Sequence, residues 1–264
     1  MHSVLAREGW RAIKATAPDL IHSHGKLAGL AGRLAGKAWG VPTVHTFHGF
    51  HWERYGRPYI ILEQALAKLT TRLIHVSDSE AQECQTYSLY GRTIFNGVAI
   101  PDRSYSQPWY PRNGREFTLV GTIARPDPIK RLTMLRAACQ KAGLGYVCVS
   151  GPDARLILPH LTLYASASRK EGCPYGVLDA MAHGLAIAVT AVPGHTDLIE
   201  HNQTGWLGPV ENLSQGLLHL AKDPDLRLQY GEAARLIAAS RFSLDRMVKE
   251  TLDTYRQCLD GSQG

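Results

Sequence analysis

Two carboxylates and two cations are the residues whose types and spacing suggest chemistry in this chain. Glu171 lies in the turn Ser168-Arg169-Lys170-Glu171-Gly172-Cys173-Pro174, and Asp179 follows eight residues later, about two helical turns on. At that spacing both carboxylates can lie along one side of a cleft. Each can receive two O–H donors, which suits the vicinal hydroxyls of a sugar. An acid favoured at a helix start and an ordinary solvated Asp are the plainer reading of the same two residues. The turn leads into a helix whose first backbone N–H groups would be open to an anion. Arg125 and Lys130 follow an apolar run and either stabilise charge developing on a phosphate leaving group or are simply solvated. His45, His48 and His51 are metal-ligand types, yet no carboxylate sits at ligand spacing beside them, and no metal site is expected.

Strands and helices in alternation would place these side chains. In the first half, residues 20–22 and 43–47 read as short buried strands around a helix over 25–39. A helix over 58–71 then leads to a strand over 72–77. In the second half, strands are predicted at 117–121, 146–150, 161–165 and 186–190. Helices are predicted at 132–142, 175–183, 213–222, 225–240 and 244–259. Strand, helix, strand implies parallel sheets, and ligands of such sheets bind beyond the carboxyl ends of the strands. The segment 101–114 holds three prolines and little apolar periodicity, so it is expected to connect a domain over 1–103 to one over 104–264, with the last helix able to pack back on the first.

Composition narrows the class. At 264 residues, 44% apolar and 20% charged, the chain is long enough for one large or two ordinary domains, each able to bury a core, and no apolar run approaches the roughly 18 residues that would span a membrane. The start has no basic segment followed by an apolar stretch, which predicts a cytoplasmic protein. Five scattered cysteines without a C-x-x-C pair fit reduced thiols. A formal charge of +6 suits an anionic partner, a nucleotide diphosphate, anionic lipid head groups or nucleic acid, or is a solvated basic surface.

Residues 168–184 resemble the E-x7-E signature of the family-four retaining glycosyltransferases, also described as glycosyl transferases group 1, and the similarity continues through 186–194 and 198–207. Gly121-Thr122-Ile123-Ala124-Arg125-Pro126-Asp127-Pro128-Ile129-Lys130 resembles the family's Gly-x-x-x-Arg-x-x-x-x-Lys loop. Pro18-Asp19-Leu20-Ile21-His22-Ser23-His24-Gly25 and His45-Thr46-Phe47-His48-Gly49-Phe50 resemble its acceptor domain.

The resemblance implies an α/β protein of the GT-B fold, with two Rossmann-like parallel-sheet domains, the N-terminal one incomplete. It implies sugar transfer with retention from a nucleotide-sugar donor to a glycan or lipid-linked acceptor in surface polysaccharide or lipopolysaccharide assembly. By the same resemblance His48 and Glu171 contact the donor sugar, Arg125 and Lys130 stabilise the leaving diphosphate, and Asp179, where Glu is usual, holds the ribose. Gly121, Cys173, Pro174, Tyr175 and Gly176 belong to the donor site, and His24, Gly25 and His45 to the acceptor side. No cofactor, essential metal or nucleic acid is implied.

The sequence departs from the family in having only residues 1–17 before the first strand, and too few residues between 151 and 161 for the usual helix, strand and helix. Three expectations follow: a partner polypeptide completes the N-terminal domain, the compact chain transfers sugar alone, or it binds nucleotide without transfer. Trp52, Arg54, Tyr55, Arg57 and Tyr59 are candidates for a peripheral contact with the inner membrane surface, or for an acceptor-binding or merely exposed surface.

Overall fold

The computed structural model describes residues 10–11, 13–50, 52–102 and 118–261, so His51 and most of the expected connection lie outside the described residues. Contacts divide the chain into two compact units, Met1–Phe95 with Met247–Gly264, and Asn96–Arg246.

The first unit is built on four parallel strands, β1 (Ile21–His24), β2 (Thr43–Thr46), β3 (Arg72–His75) and β4 (Arg92–Thr93), side by side in that order. Helix α1 (Lys26–Trp39) connects β1 to β2 and buries Gly29, Gly32, Ala35 and Gly36. Those small residues allow a close approach: a side-chain carbon on Gly32 would stand 3.2 Å from Ile21 and Ser23, and one on Gly36 would strike Thr43. Gly40, at φ +67°, ends the helix by donating its N–H to the Gly36 carbonyl.

Helices α2 (Trp52–Tyr55), α3 (Arg57–Ala67) and α4 (Asp78–Gln85) complete the connections. Helix α3 stops short of residue 71 because Leu69 and Thr70 turn back onto the carbonyls of Leu66 and Ala67. Side chains alternate across the sheet. Leu73 joins Phe47, Phe50, Ile60, Cys84 and Leu89, whereas Ile74 joins Val44, Ile94 and Cys258, the last from the C-terminal helix.

Charge inside this unit is paired. Arg33, fully buried on α1, gives its Nε–H to the Gly29 carbonyl at 2.8 Å and sets Nη1 2.8 Å from Glu63 Oε2. His75 is buried and stacked on Phe47 with ring centroids 5.6 Å apart. Burial lowers its pKa to about 4.

The second unit carries β5 (Leu119–Ile123), α5 (Leu132–Lys141), β6 (Gly145–Val149), β7 (Leu163–Ser166), α6 (Tyr175–Ala182), β8 (Ala186–Thr190) and β9 (Trp206–Gly208). Helices α7 (Leu213–Lys222), α8 (Pro224–Arg241) and α9 (Leu244–Asp260) follow, with most of α9 belonging to the first unit. The strands are all parallel in the order β6-β5-β7-β8-β9. Val120, Leu163, Ala165, Ala186 and Ala188 meet Leu135, Leu213, Leu217 and Leu220 in its core. Between β6 and β7, where too few residues were expected for a helix, strand and helix, the chain forms a 3-10 run, Ala154–His160. Because β5 has β6 on one side and β7 on the other, the connections after β5 and β7 diverge, and a crevice opens between their carboxyl ends.

No helix among the described residues is long and apolar enough to cross a membrane.

Two outcomes follow from the paired and neutral groups inside the first unit. Glu63→Ala leaves the Arg33 guanidinium buried without its anion and should cost this unit about 3–5 kcal/mol in urea unfolding, whereas Arg33→Met with Glu63→Leu should recover most of the loss. His75 stays neutral when folded down to about pH 4 but titrates near 6.5 when unfolded. Its contribution is therefore full above pH 6.5 and declines as the pH falls toward 4, with a slope of up to about 1.4 kcal/mol per pH unit. His75→Phe should flatten the pH dependence of unfolding in that window.

Candidate functional site

The crevice of the second unit contains a cavity of about 430 Å³. Its lining includes Ile123, Ala124, Arg125 and Lys130 from the β5 end, Ser150 and Gly151 from the β6 end, Ser166, Ser168 and Glu171 from the β7 end, and Pro174, Tyr175 and Gly176 at the start of α6. A wider hollow of about 800 Å³ in the first unit carries Lys68, Arg72 and Arg92 but no carboxylate, and it includes the first residues of β3. Ligands of parallel sheets bind at the opposite ends of strands, and the first cavity is the better site.

Local sequence explains how the cations and Glu171 meet. Asp127 caps the short 3-10 turn Pro128–Lys130, its Oδ1 accepting the Ile129 N–H at 3.0 Å, which places Lys130 at the turn's end. The Arg169 N–H then donates to the Ile129 carbonyl at 2.9 Å, fastening the β7 loop to the β5 loop. Lys130 Nζ lies 2.6 Å from Glu171 Oε1, with the two side chains 26% and 11% exposed.

Glu171 is also held from behind. Its N–H donates to the Pro193 carbonyl at 3.1 Å. Gly194, at φ +84°, has no room for a side chain, since a carbon there would stand 2.6 Å from the Glu171 carbonyl oxygen. Thr190 Oγ1 donates to the Ser168 carbonyl at 2.7 Å, and the buried His195 sets Nδ1 2.8 Å from the Thr190 carbonyl.

At the start of α6, Gly176 serves close packing, because a side chain would strike the Tyr164 hydroxyl and stand 3.1 Å from the Ile123 carbonyl. The helix therefore begins against the strand ends, with its first-turn N–H groups beside the cavity.

The predicted residues are not all at the surface of this cavity. Arg125, Lys130, Glu171, Pro174, Tyr175 and Gly176 line it, whereas Gly121, Cys173 and Asp179 do not. Gly121 packs beneath the Leu161 side chain. Cys173 is buried, and its carbonyl accepts a 2.8 Å hydrogen bond from Asn96 Nδ2. Asp179 is 4% exposed, and its Oδ2 accepts from Arg155 Nε at 2.8 Å. Burial raises the Asp179 pKa, with Arg155 opposing the rise. Sequence reading passed over Arg155 because nothing in residues 153–160 predicts where that run turns.

In the first unit, the acceptor-side residue His24 ends β1, Gly25 stands between it and α1, and His48 follows β2. His24 Nδ1 and His48 Nε2 are 2.9 Å apart, and the His22 and His24 ring centroids 4.2 Å. His22 bridges Thr46 Oγ1 at 2.8 Å and Tyr255 Oη at 2.5 Å. Partial burial lowers the pKa of all three, and neighbouring imidazoles add to the effect at His22 and His48, which favours a neutral row. His24 and His48 remain accessible to solvent. His45 does not: it is 2% exposed, 3.0 Å from Ser23 Oγ, and belongs to the core beneath α1.

Glu80 was also missed, although Ser77-Asp78-Ser79-Glu80 is a capping box. Ser77 Oγ accepts the Glu80 N–H at 3.2 Å, and the Glu80 carboxylate accepts the N–H groups of Val76 at 2.9 Å and Gly49 at 2.6 Å. It thereby fixes the loop that carries His48. Among the described residues no three His, Cys, Asp or Glu side chains gather as a metal would require.

Comparison with known proteins fits this arrangement. Residues 3–100 match the family described as Glycosyltransferase Family 4, and residues 107–223 match Glycosyl transferases group 1. The chain is 24% identical to the UDP-Gal:alpha-D-GlcNAc-diphosphoundecaprenol alpha-1,3-galactosyltransferase of Escherichia coli, covering 93% of this chain and 77% of that one. That alignment runs over 299 residues, more than the whole of this chain, so the relative carries internal segments that this chain lacks. Over 41% of its length the chain is 31% identical to 32% of the lipopolysaccharide core biosynthesis mannosyltransferase LpcC of Rhizobium leguminosarum. The crystal structure of Anabaena HepE in complex with UDP and glucose has the same fold, with a TM-score of 0.81 at 18% identity over 96% of this chain and 81% of that one. The chain belongs to the glycosyltransferases of the GT-B fold, its first half of the Glycosyltransferase Family 4 type and its second of group 1.

Proposed function

We propose that the chain transfers a sugar, with retention of anomeric configuration, from a nucleoside diphosphate sugar to a glycan or lipid-linked acceptor in surface polysaccharide or lipopolysaccharide assembly. The observation that carries this reading is the Lys130–Glu171 pair at the mouth of the divergent strands. A donor sugar diphosphate has both complements of that pair: anionic oxygens for Lys130, Arg125 and the α6 N-terminus, and O–H donors for Glu171. As the bond between anomeric carbon and phosphate oxygen breaks, negative charge grows on the departing diphosphate. Fixed cations in a partly dry cavity stabilise that charge more than water does. Two cations at the cavity can meet the diphosphate without a metal ion, so donor binding should survive EDTA. The acceptor hydroxyl enters on the face the diphosphate leaves.

Uridine donors are the first to test, since the E. coli relative is named for UDP-Gal and the HepE structure holds UDP. UDP at about 100 times its dissociation constant should stabilise the chain by roughly 2.7 kcal/mol, a rise of several degrees in Tm. Lys130→Ala should weaken UDP at least about tenfold, or about 1.4 kcal/mol. Glu171→Ala should cost the sugar-bearing donor more than bare UDP. If UDP, GDP, ADP and dTDP all leave Tm unchanged, the donor-site reading fails. Nucleotide binding without any sugar transfer would leave a binding protein.

A peripheral membrane contact at the cytoplasmic face accompanies this proposal. Arg54, Tyr55 and Arg57 are exposed on α2 and α3 together with Ile61 and Leu62, and Lys26 caps the Tyr55 ring. Such a basic and apolar patch suits anionic headgroups. The chain should float with anionic vesicles at low salt and be released at high salt; recovery of all protein in the soluble fraction at low salt would remove the contact.

A second reading, in which another polypeptide adds a strand to β1, is favoured by β1's place at the edge of its sheet among the described residues and by the exposed Leu27 and Leu34 on the adjoining α1.

A further inference from the structure

The hollow of about 800 Å³ in the first unit has walls that are held in place and cations that are not paired. On one side α3 ends before Lys68, and Thr70 Oγ1 donates to the Leu66 carbonyl at 2.7 Å as the chain turns toward β3. Thr71 Oγ1 accepts the Thr43 N–H at 3.0 Å and fastens that turn to β2. On the other side Gln64 Nε2 donates to the Tyr87 carbonyl at 2.9 Å, and Ser88 stands at φ +59°. Gly91 packs so closely that a side-chain carbon there would meet the Leu73 carbonyl oxygen at 2.6 Å. These restraints set Lys68, Arg72 and Arg92 around one concavity, together with Tyr90, which is 70% exposed.

Among the described residues, none that lines this hollow is acidic, and neither Lys68 nor Arg72 forms an ion pair. Arg92 gives one Nη1–H to Thr254 Oγ1 at 3.4 Å, and Asp253, the neighbour of Thr254, is already held by Arg256 at 2.8 Å. Like charges gathered without a counter-charge repel one another and are tolerated only because water and salt screen them. A carboxylate brings one charge and two oxygens, enough for one guanidinium. A phosphate or diphosphate has the charge and the oxygens for all three, meeting Arg72 and Arg92 in bidentate pairs and Lys68 as a point charge. The volume falls within the roughly 300–1,000 Å³ of small-molecule sites, which leaves room for an organic portion beside Tyr90. We propose that this hollow is a second anion site of the chain, binding a small molecule through a phosphate or diphosphate group held by Lys68, Arg72 and Arg92. It takes in the first residues of β3 and β4, whereas the histidine row lies at the carboxyl ends of β1 and β2 in the same parallel sheet. It belongs to the first unit and stands whether or not the donor-site reading of the second holds.

Pyrophosphate is the probe, and the cations of the other cavity are removed so that the two sites are counted apart. In calorimetry the whole chain carrying Arg125→Ala with Lys130→Ala should still bind one pyrophosphate. Adding Arg72→Gln and Arg92→Gln should weaken that binding about a hundredfold, and adding Lys68→Gln alone about tenfold. Unfolding without pyrophosphate reports whether each variant is folded, and Lys68→Gln, at an exposed helix end, tests the site should the arginine pair prove necessary for folding. Binding that survives the loss of all three cations overturns the site. So does an absence of binding once Arg125 and Lys130 are gone, which would assign all pyrophosphate to the second unit. Binding that rises with concentration and never saturates marks a diffuse basic surface and overturns it as well. With saturable binding in hand, flotation with vesicles containing phosphatidic acid identifies the source of the phosphate. Equal flotation of the unaltered chain and of Arg72→Gln with Arg92→Gln assigns the site to a soluble phosphorylated molecule, and loss of flotation assigns it to a lipid headgroup.

Discussion

Lys130 and Glu171 meet across a gap that the sheet order creates, and the rest of the cavity is arranged around keeping that meeting in place. Exposed ion pairs typically contribute about 0–1 kcal/mol, but partial burial changes the balance. At 26% and 11% exposure each partner has lost part of its water, and removing one leaves the other poorly solvated. A ligand that displaces the pair has to satisfy both members, which selects a molecule with anionic oxygens on one part and hydroxyls on another. The backbone contacts at Ile129, Pro193 and Gly194 hold the loops to this geometry before any ligand arrives.

The first unit solves a related problem with neutral rings. Its histidine row lies at the carboxyl ends of β1 and β2. Glu80 supplies the restraint by accepting two backbone N–H groups, one from Val76 and one from Gly49 beside His48. Below the row, α1 can approach the sheet only because its inner face is glycine and alanine, and that same closeness encloses Arg33 and requires Glu63 as its counter-charge. Sequence features that look unrelated, a run of small residues, a buried arginine and an acid thirty positions later, are consequences of one helix lying low on one sheet.

The strands and helices of the second unit are legible in the sequence because their apolar periods are strong: residues 186–190 form β8 with the boundaries expected, and α7 spans the predicted residues. The two-residue β4 and three-residue β9 are not, since their strand character comes from pairing with β3 and β8 rather than from any local alternation. The site is legible to the same degree. Arg125, Lys130 and Glu171 stand out by type and by strand-following position. Whether a carboxylate on a helix faces the cavity depends on how the helix rolls against its sheet, and Gly176 seats α6 so closely that Asp179 turns inward. Spacing alone cannot report that roll.

The short connection between β6 and β7 has a geometric consequence that brings Arg155 into play. The chain has to return from the carboxyl end of β6 to the amino end of β7, a distance of about 15 Å for strands of this length at roughly 3.3 Å per residue. Seven residues of α-helix advance only about 10 Å, at 1.5 Å each. Seven residues of 3-10 helix, at about 2.0 Å each, reach about 14 Å and nearly close the distance. The run Ala154–His160 has that length and conformation. The rest of the connection, residues 150–153 and 161–162, supplies the turns at either end, and the second residue of the run, Arg155, donates from Nε to the buried Asp179 carboxylate at 2.8 Å.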